Sequence, residues 1–189
     1  MRYLLSLCIV LLGGCALMAP PAPVVQPPSQ IASAPFALNG RISVRHQGEV
    51  HSAGLRWMHQ ARSDEILLLA PLGQTVARVY RDAGQATLDK DGKHYREADA
   101  ETLMQRVLGW HLPLAGLHHW VLGMAAQHTP ADIEYDKNNR IVRLLQDGWE
   151  INYLRFADDR RDSLPSRLQL IREDLRVTLL IDEWDWAQP

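Results

Sequence analysis

The side chains able to do chemistry in this 189-residue chain are eight histidines, two cysteines and a scatter of carboxylates. A zinc hydrolase sets two histidines at i and i+4 on one helix face, beside a carboxylate. His111, His118 and His128 lack that arrangement, and His118 and His119, being adjacent, point about 100° apart on a helix. The run Asp89-Lys90-Asp91-Gly92 starts like a calcium loop, but its glycine comes too early and the closing glutamate is misplaced. It reads as a hairpin turn. Asp158, Asp159 and Asp162 interleave with Arg160 and Arg161, the pattern of a solvated loop. No serine lies in a nucleophile elbow, and no glycine-rich loop opens a helix as phosphate binding requires. Neither enzymatic activity nor a cofactor or metal is expected.

Cys15 is different. It closes the run Leu11-Leu12-Gly13-Gly14-Cys15, after a basic tip at Arg2 and an apolar stretch from Leu4 to Leu12. That stretch is shorter than the ~20 residues needed to cross a bilayer, so it reads as a secretory signal over residues 1–14 with small residues at the cleavage point. A cysteine placed there resembles the lipobox of exported bacterial lipoproteins, whose thiol is acylated. Lipidation of Cys15 is therefore expected. Cys8 leaves with the signal, so no disulfide can form and the domain must be held by its core. Ala16 follows the cysteine where an Asp would signal retention in the inner membrane, so the outer membrane is the expected destination.

Residues 15–35 form the lipidated N-terminus and a tether rich in proline (Pro20, Pro21, Pro23, Pro27, Pro28, Pro35). Such a composition prefers extended polyproline geometry, and at about 3.1 Å per residue it spans on the order of 50 Å. Residues 36–189 are expected to form one domain. Its near-neutral balance, with a formal net charge of −2 for the whole chain, gives no footprint for nucleic acid.

From Phe36 the apolar period is two. Leu38, Ile42 and Val44 alternate with polar neighbours up to Gly48, and Leu55 and Trp57 share a face of the next segment. Ile66 to Ala70 is a denser apolar strand. Turn signals at Pro71-Leu72-Gly73, Asp91-Gly92, Asn138-Asn139 and Gly148 separate the later segments. They end with Trp149-Ile151-Tyr153, Leu168-Leu170 and Val177-Leu179-Ile181 in alternation. The count is about eleven short strands, which predicts an antiparallel barrel or strongly curved sheet.

Two short helices interrupt it. Asp99 can cap one carrying Leu103, Met104, Val107 and Leu108, ended by Gly109. Pro113 suits the first position of a second carrying Leu114, Leu117, Trp120 and Val121, with Gly123 past its end. A sheet with one apolar face needs a cover, and these helices supply it. Six tryptophans against two phenylalanines give the enclosed space bulky walls. Sequence leaves open whether that space is filled or a ligand cavity. The turn Pro71-Leu72-Gly73 puts a leucine at a hairpin tip, where a polar residue is usual. Contact with a partner or membrane, and a side chain folded back onto the core, fit equally.

In order along the chain, the segments Leu38-Asn39-Gly40-Arg41-Ile42-Ser43, Leu55-Arg56-Trp57, Leu67-Leu68-Leu69-Ala70-Pro71-Leu72-Gly73 and Leu108-Gly109-Trp110-His111-Leu112-Pro113-Leu114 are followed by Trp120-Val121-Leu122-Gly123, Trp149-Glu150-Ile151-Asn152-Tyr153 and Ile181-Asp182-Glu183-Trp184. Together they resemble the LolB family, outer-membrane receptors of the lipoprotein-sorting pathway. The resemblance implies an incomplete antiparallel β-barrel with a helical lid over an apolar cavity. It implies a monomer facing the periplasm that takes the acyl chains of client lipoproteins from the soluble carrier LolA and releases them into outer-membrane lipid. By the same resemblance Pro71, Leu72 and Gly73 form the membrane-insertion loop. The acyl-cavity lining is expected from Leu55, Trp57, Leu67, Leu69, Trp149, Ile151, Leu179 and Ile181, with Leu103, Val107, Leu117 and Val121 from the lid. The chain departs from the family before its first strand, where Pro28 to Pro35 is too short and broken for the family's polar helical segment. A different class also fits the residues: a lipid-anchored structural or docking module with a filled barrel.

Overall fold

A computed structural model describes residues 34–186. Cys15, the expected signal and all of the tether before Ala34 lie outside the described residues.

Strong alternation and tight turns dictate the strands. They are β1 (Phe36–His46), β2 (Glu49–Gln60), β3 (Ser63–Leu69), β4 (Thr75–Arg81), β5 (Ala86–Lys90) and β6 (Lys93–Glu97), then β7 (Ala131–Tyr135), β8 (Ile141–Gln146), β9 (Trp149–Phe156), β10 (Pro165–Arg172) and β11 (Leu175–Asp185). All pair antiparallel in one sheet, in the order β6-β5-β4-β3-β2-β1-β11-β10-β9-β8-β7. Two meanders are thus joined by their first and last strands, while β6 and β7 stay unpaired with each other, leaving the barrel incomplete. The two-residue connections Gln47-Gly48, Asp91-Gly92 and Asp147-Gly148 have positive φ at both positions. That geometry matches the twist of the flanking strands.

The β1–β11 seam carries one irregularity, between Asn39 and Gly40. A Cβ on Gly40 would lie 2.0 Å from the Leu180 carbonyl oxygen, so only glycine allows the strands to close there.

Helix α1 (Ala100–Leu108) starts at Asp99, whose carboxylate accepts from the Thr102 amide at 2.7 Å, and ends at the left-handed Gly109. Helix α2 (Leu114–Trp120) has Pro113 at its cap and so starts one residue later than expected, with Pro113 preceding the first helical position instead of occupying it. Leu103 and Met104 of α1 and Leu117 and Trp120 of α2 join the inward residues of the sheet in one buried core. The helices therefore cover the apolar face, as the pattern required.

On β3 the phase differs from expectation. Asp64, Ile66 and Leu68 point inward, whereas Leu67 and Leu69 are half-buried on the outer face. The two leucines are thus removed from the interior lining. The uninterrupted run Ile66–Leu69 has no period of its own, and pairing with β2 sets its phase: Leu68 stands opposite the buried Leu55, and Ile66 opposite the buried Trp57.

Candidate functional site

Inside the sheet, Leu55, Trp57, Leu103, Leu117, Val121, Trp149, Ile151, Leu179 and Ile181 all belong to the continuous core, and Val107 packs half-buried against it. With the lid seated, this interior is closed. It approaches the surface at one end, where a recess of about 240 Å³ is lined by Ile42, Ala53, Leu68, Ala77, Leu108 and Trp110, with Val76 and the polar His51, Ser52, Lys90 and Asp91 also on its wall. The recess lies between the sheet and the connection from α1 to α2.

The β3–β4 loop sits at the same end. Gly73 donates its amide to the Ala70 carbonyl, and Ala70 donates to the Gln74 carbonyl, each at 2.8 Å. A left-handed Gly73 completes the turn. This backbone clamp uses no side chain of Pro71 or Leu72, and Leu72 is left 86% exposed. Of the two orientations open to it, the side chain takes the outward one.

Polar groups fix the lid from below. Gln146, buried on β8, accepts from the Trp120 indole and from the Ala126 amide, both at 2.9 Å. Its own amide donates to the carbonyls of Ala126 and Thr129. The Tyr153 hydroxyl donates to the Trp120 carbonyl at 2.9 Å. The end of α2 is thus tied to β8 and β9 by hydrogen bonds shielded from water.

A second buried polar group lies at the opposite end of the strands. Asp64 is 1% exposed. Its Oδ1 accepts from the Trp57 indole and from His59 Nδ1, each at 2.8 Å, and its Oδ2 accepts from Arg81 Nε at 2.6 Å. Burial alone would raise the Asp64 pKa; the His59 hydrogen bond, the Arg81 charge and the indole outweigh it and hold the carboxyl below its usual range. His59 in turn stacks on His118 of α2, and His118 lies against His119. Burial, reinforced by its two histidine neighbours, pushes the His118 pKa down to about 4. Burial, together with the charges of His59 and His128, lowers His119. Among the described residues, no three histidine, cysteine or acidic side chains converge as a metal site would need.

Sequence reading missed both polar groups. Asp64 carried a signal, because it occupies the same alternating phase as Ile66 and Leu68. The histidine stack carried none, since it joins residues far apart in the chain.

Residues 34–184 match the family described as "Outer membrane lipoprotein LolB". The chain is 42% identical to the outer-membrane lipoprotein LolB of Nitrosomonas europaea, over 85% of this chain and 77% of that one. It is 38% identical to the LolB of Chromobacterium violaceum, over 97% and 98% of the two chains. Among solved structures, a LolA superfamily protein from Nitrosomonas europaea shares the fold with a TM-score of 0.51 at 7% identity, covering 83% of this chain and 88% of that one. On this extent of sequence likeness, carried by the sheet and lid just described, the chain belongs to the LolB family.

Proposed function

We propose that this chain works in lipoprotein localisation at the outer membrane, as an acceptor and inserter of acylated lipoproteins rather than an enzyme. Acylation of Cys15 holds it to that membrane with the domain in the periplasm. The carrier LolA delivers the cargo, and the acyl chains pass beneath the lid, between α1, α2 and the inward residues of the sheet. They leave beside the loop Pro71-Leu72-Gly73, which enters the bilayer. The observation that carries this reading is the exposed Leu72 at the same end of the sheet as a recess whose floor is made by the core residues Ile42, Leu68 and Ala77.

The energetics fit a handover without nucleotide hydrolysis. Exposing an acyl chain of roughly 16 carbons to water costs ~12 kcal/mol at about 0.8 kcal/mol per methylene. Lifting the lid uncovers Leu103, Leu117, Trp120 and Val121, at ~1.5–3 kcal/mol each, or ~6–12 kcal/mol. The two quantities are comparable. Opening is therefore unfavourable in water alone and is offset when an acyl chain takes the place of the lid contacts.

The burial of the inward side chains in one continuous core favours one other reading, a lipid-anchored docking module whose core never opens. Transfer separates the two. The chain is mixed with carrier loaded with an acylated lipoprotein, and cargo is followed by pull-down. Movement of cargo to this chain supports the acceptor; retention on the carrier, with the chain folded, leaves the docking module.

A further inference from the structure

The outer face of β1, β2, β10 and β11 carries a pattern that the interior does not explain. In register, Ile171, Arg176, Arg45 and Val50 form one row across four strands. Two rows along, Arg167, Leu180, Arg41, Gly54 and Leu69 form another, which runs into the Leu72 loop. Between them lie Ser52, Ser43 and Thr178, small enough to leave a trough of about 730 Å³ whose wall reaches Pro71. All four arginines are exposed. Arg41 pairs with Asp182, whereas Arg45, Arg167 and Arg176 have no ion pair among the described residues. Of the acids at that end, Glu49 lies 3.1 Å from His51 and Asp174 3.3 Å from His46, each an ion pair only when the histidine is protonated, and Glu173 is exposed in the β10–β11 turn.

Exposed aliphatic side chains gather in the same region. Val50 is 53% exposed, Val76 44% and Leu72 86%, three of the six large hydrophobics left open to solvent among the described residues. Val50 pairs directly with Arg45. Isolated aliphatic tips among unpaired guanidinium groups suit a bilayer interface, where apolar atoms enter the acyl region and cations meet lipid phosphates.

We propose that this outer face is a membrane-docking surface for anionic phospholipid. Arg45 and Arg176 make the principal headgroup contacts, Arg41 and Arg167 support them, and Val50 flanks the inserted Leu72. The proposal rests on the reading that Leu72 enters the bilayer, and adds to it a second, charge-selective contact.

The test uses the chain from residue 15 onward with Cys15→Ala, so that no acyl anchor masks weak binding. Sedimentation is measured with phosphatidylcholine vesicles, with and without a minor fraction of phosphatidylglycerol. Wild type binds the anionic vesicles more tightly, and salt abolishes the difference. Arg45→Gln with Arg176→Gln weakens anionic binding by roughly 30-fold, about fivefold per arginine, and leaves phosphatidylcholine binding unchanged. Arg62→Gln with Arg161→Gln, which alters net charge equally at the other end of the strands, has no such effect. Leu72→Glu weakens binding to both vesicle types. Should Leu72→Glu bind normally while the arginine pair still matters, the loop reading fails and the basic face stands. Equal anionic binding by wild type and the Arg45/Arg176 variant overturns the proposal. So does a variant that binds vesicles normally but no longer accepts cargo, which would assign the arginines to an acidic protein partner.

Discussion

The imidazole of His59 on β2 stacks on that of His118 on α2, with ring centroids 4.8 Å apart and planes 14° from parallel. The contact joins the sheet to the lid through a group that titrates. His118 is neutral in the folded state down to about pH 4, whereas an unfolded histidine takes up its proton near 6.5. Between those values the unfolded chain binds more protons, so stability falls as pH falls through that window. His119 and His111 shift in the same direction and add to the slope. Asp64, with a depressed pKa, keeps its contribution until more acid conditions. We expect the melting temperature to drop steadily from pH 7 to pH 4.5, and His118→Asn to flatten part of that drop. Partial solvent access to His118 limits its share to about 1–2 kcal/mol. A variant as acid-sensitive as wild type would remove His118 from this role.

Asp64 is the one buried acid among the described residues, and three donors converge on it. Replacing it with alanine strands the Trp57 indole N–H and leaves Arg81 and His59 without their acceptor. Removing one partner from a buried charged group costs about 3–5 kcal/mol. Urea unfolding of Asp64→Ala is expected to show a loss in that range. Asp64→Asn, which retains an acceptor for the indole, should lose less. Equal losses would mean that the negative charge, and not the retained acceptor, carries the whole contribution.

The legibility of the fold follows physical lines. Turns were readable because their chemistry is local: Asp91-Gly92 and Asn139 adopt the positive φ that their residue types favour. Asp99 and Gly109 cap α1 for the same reason. Alternation gave the inward faces of β1, β9 and β11. It failed on β3, where every residue from Ile66 to Leu69 is apolar and only pairing with β2 chooses the face. The contact of His59 with His118, the anchoring of Trp120 by Gln146, and the arginine rows all depend on which strands become neighbours. No local pattern encodes that.

Gln146 is expected to control the lid. Its buried side chain satisfies the Trp120 indole and both backbone groups of Ala126. Gln146→Met keeps the approximate volume and deletes these bonds, at a cost of about 3 kcal/mol. Because the lost bonds hold the end of α2, part of that cost falls on lid closure itself. A fluorescent acyl probe should therefore enter the variant faster than wild type, at temperatures where both remain folded. Unchanged uptake with reduced stability would make Gln146 a purely structural group.

Leu72 makes the cleanest separation between folding and function. It lies outside the core, its loop is closed by backbone hydrogen bonds, and its side chain is 86% exposed. Surface substitutions away from packed features usually shift stability by no more than about 0.5 kcal/mol. Leu72→Glu should therefore unfold at the wild-type denaturant concentration and take cargo from the carrier at the wild-type rate. Delivery to vesicles is where it should fail. Pushing a carboxylate instead of a leucine toward the acyl region forfeits ~1.5–3 kcal/mol of apolar burial and adds a charge penalty of about 2.5–3.5 kcal/mol at depth. Cargo should then accumulate on the variant, measurable as a stable complex that wild type releases once vesicles are added. Release at the wild-type rate would show that acyl chains leave by another route.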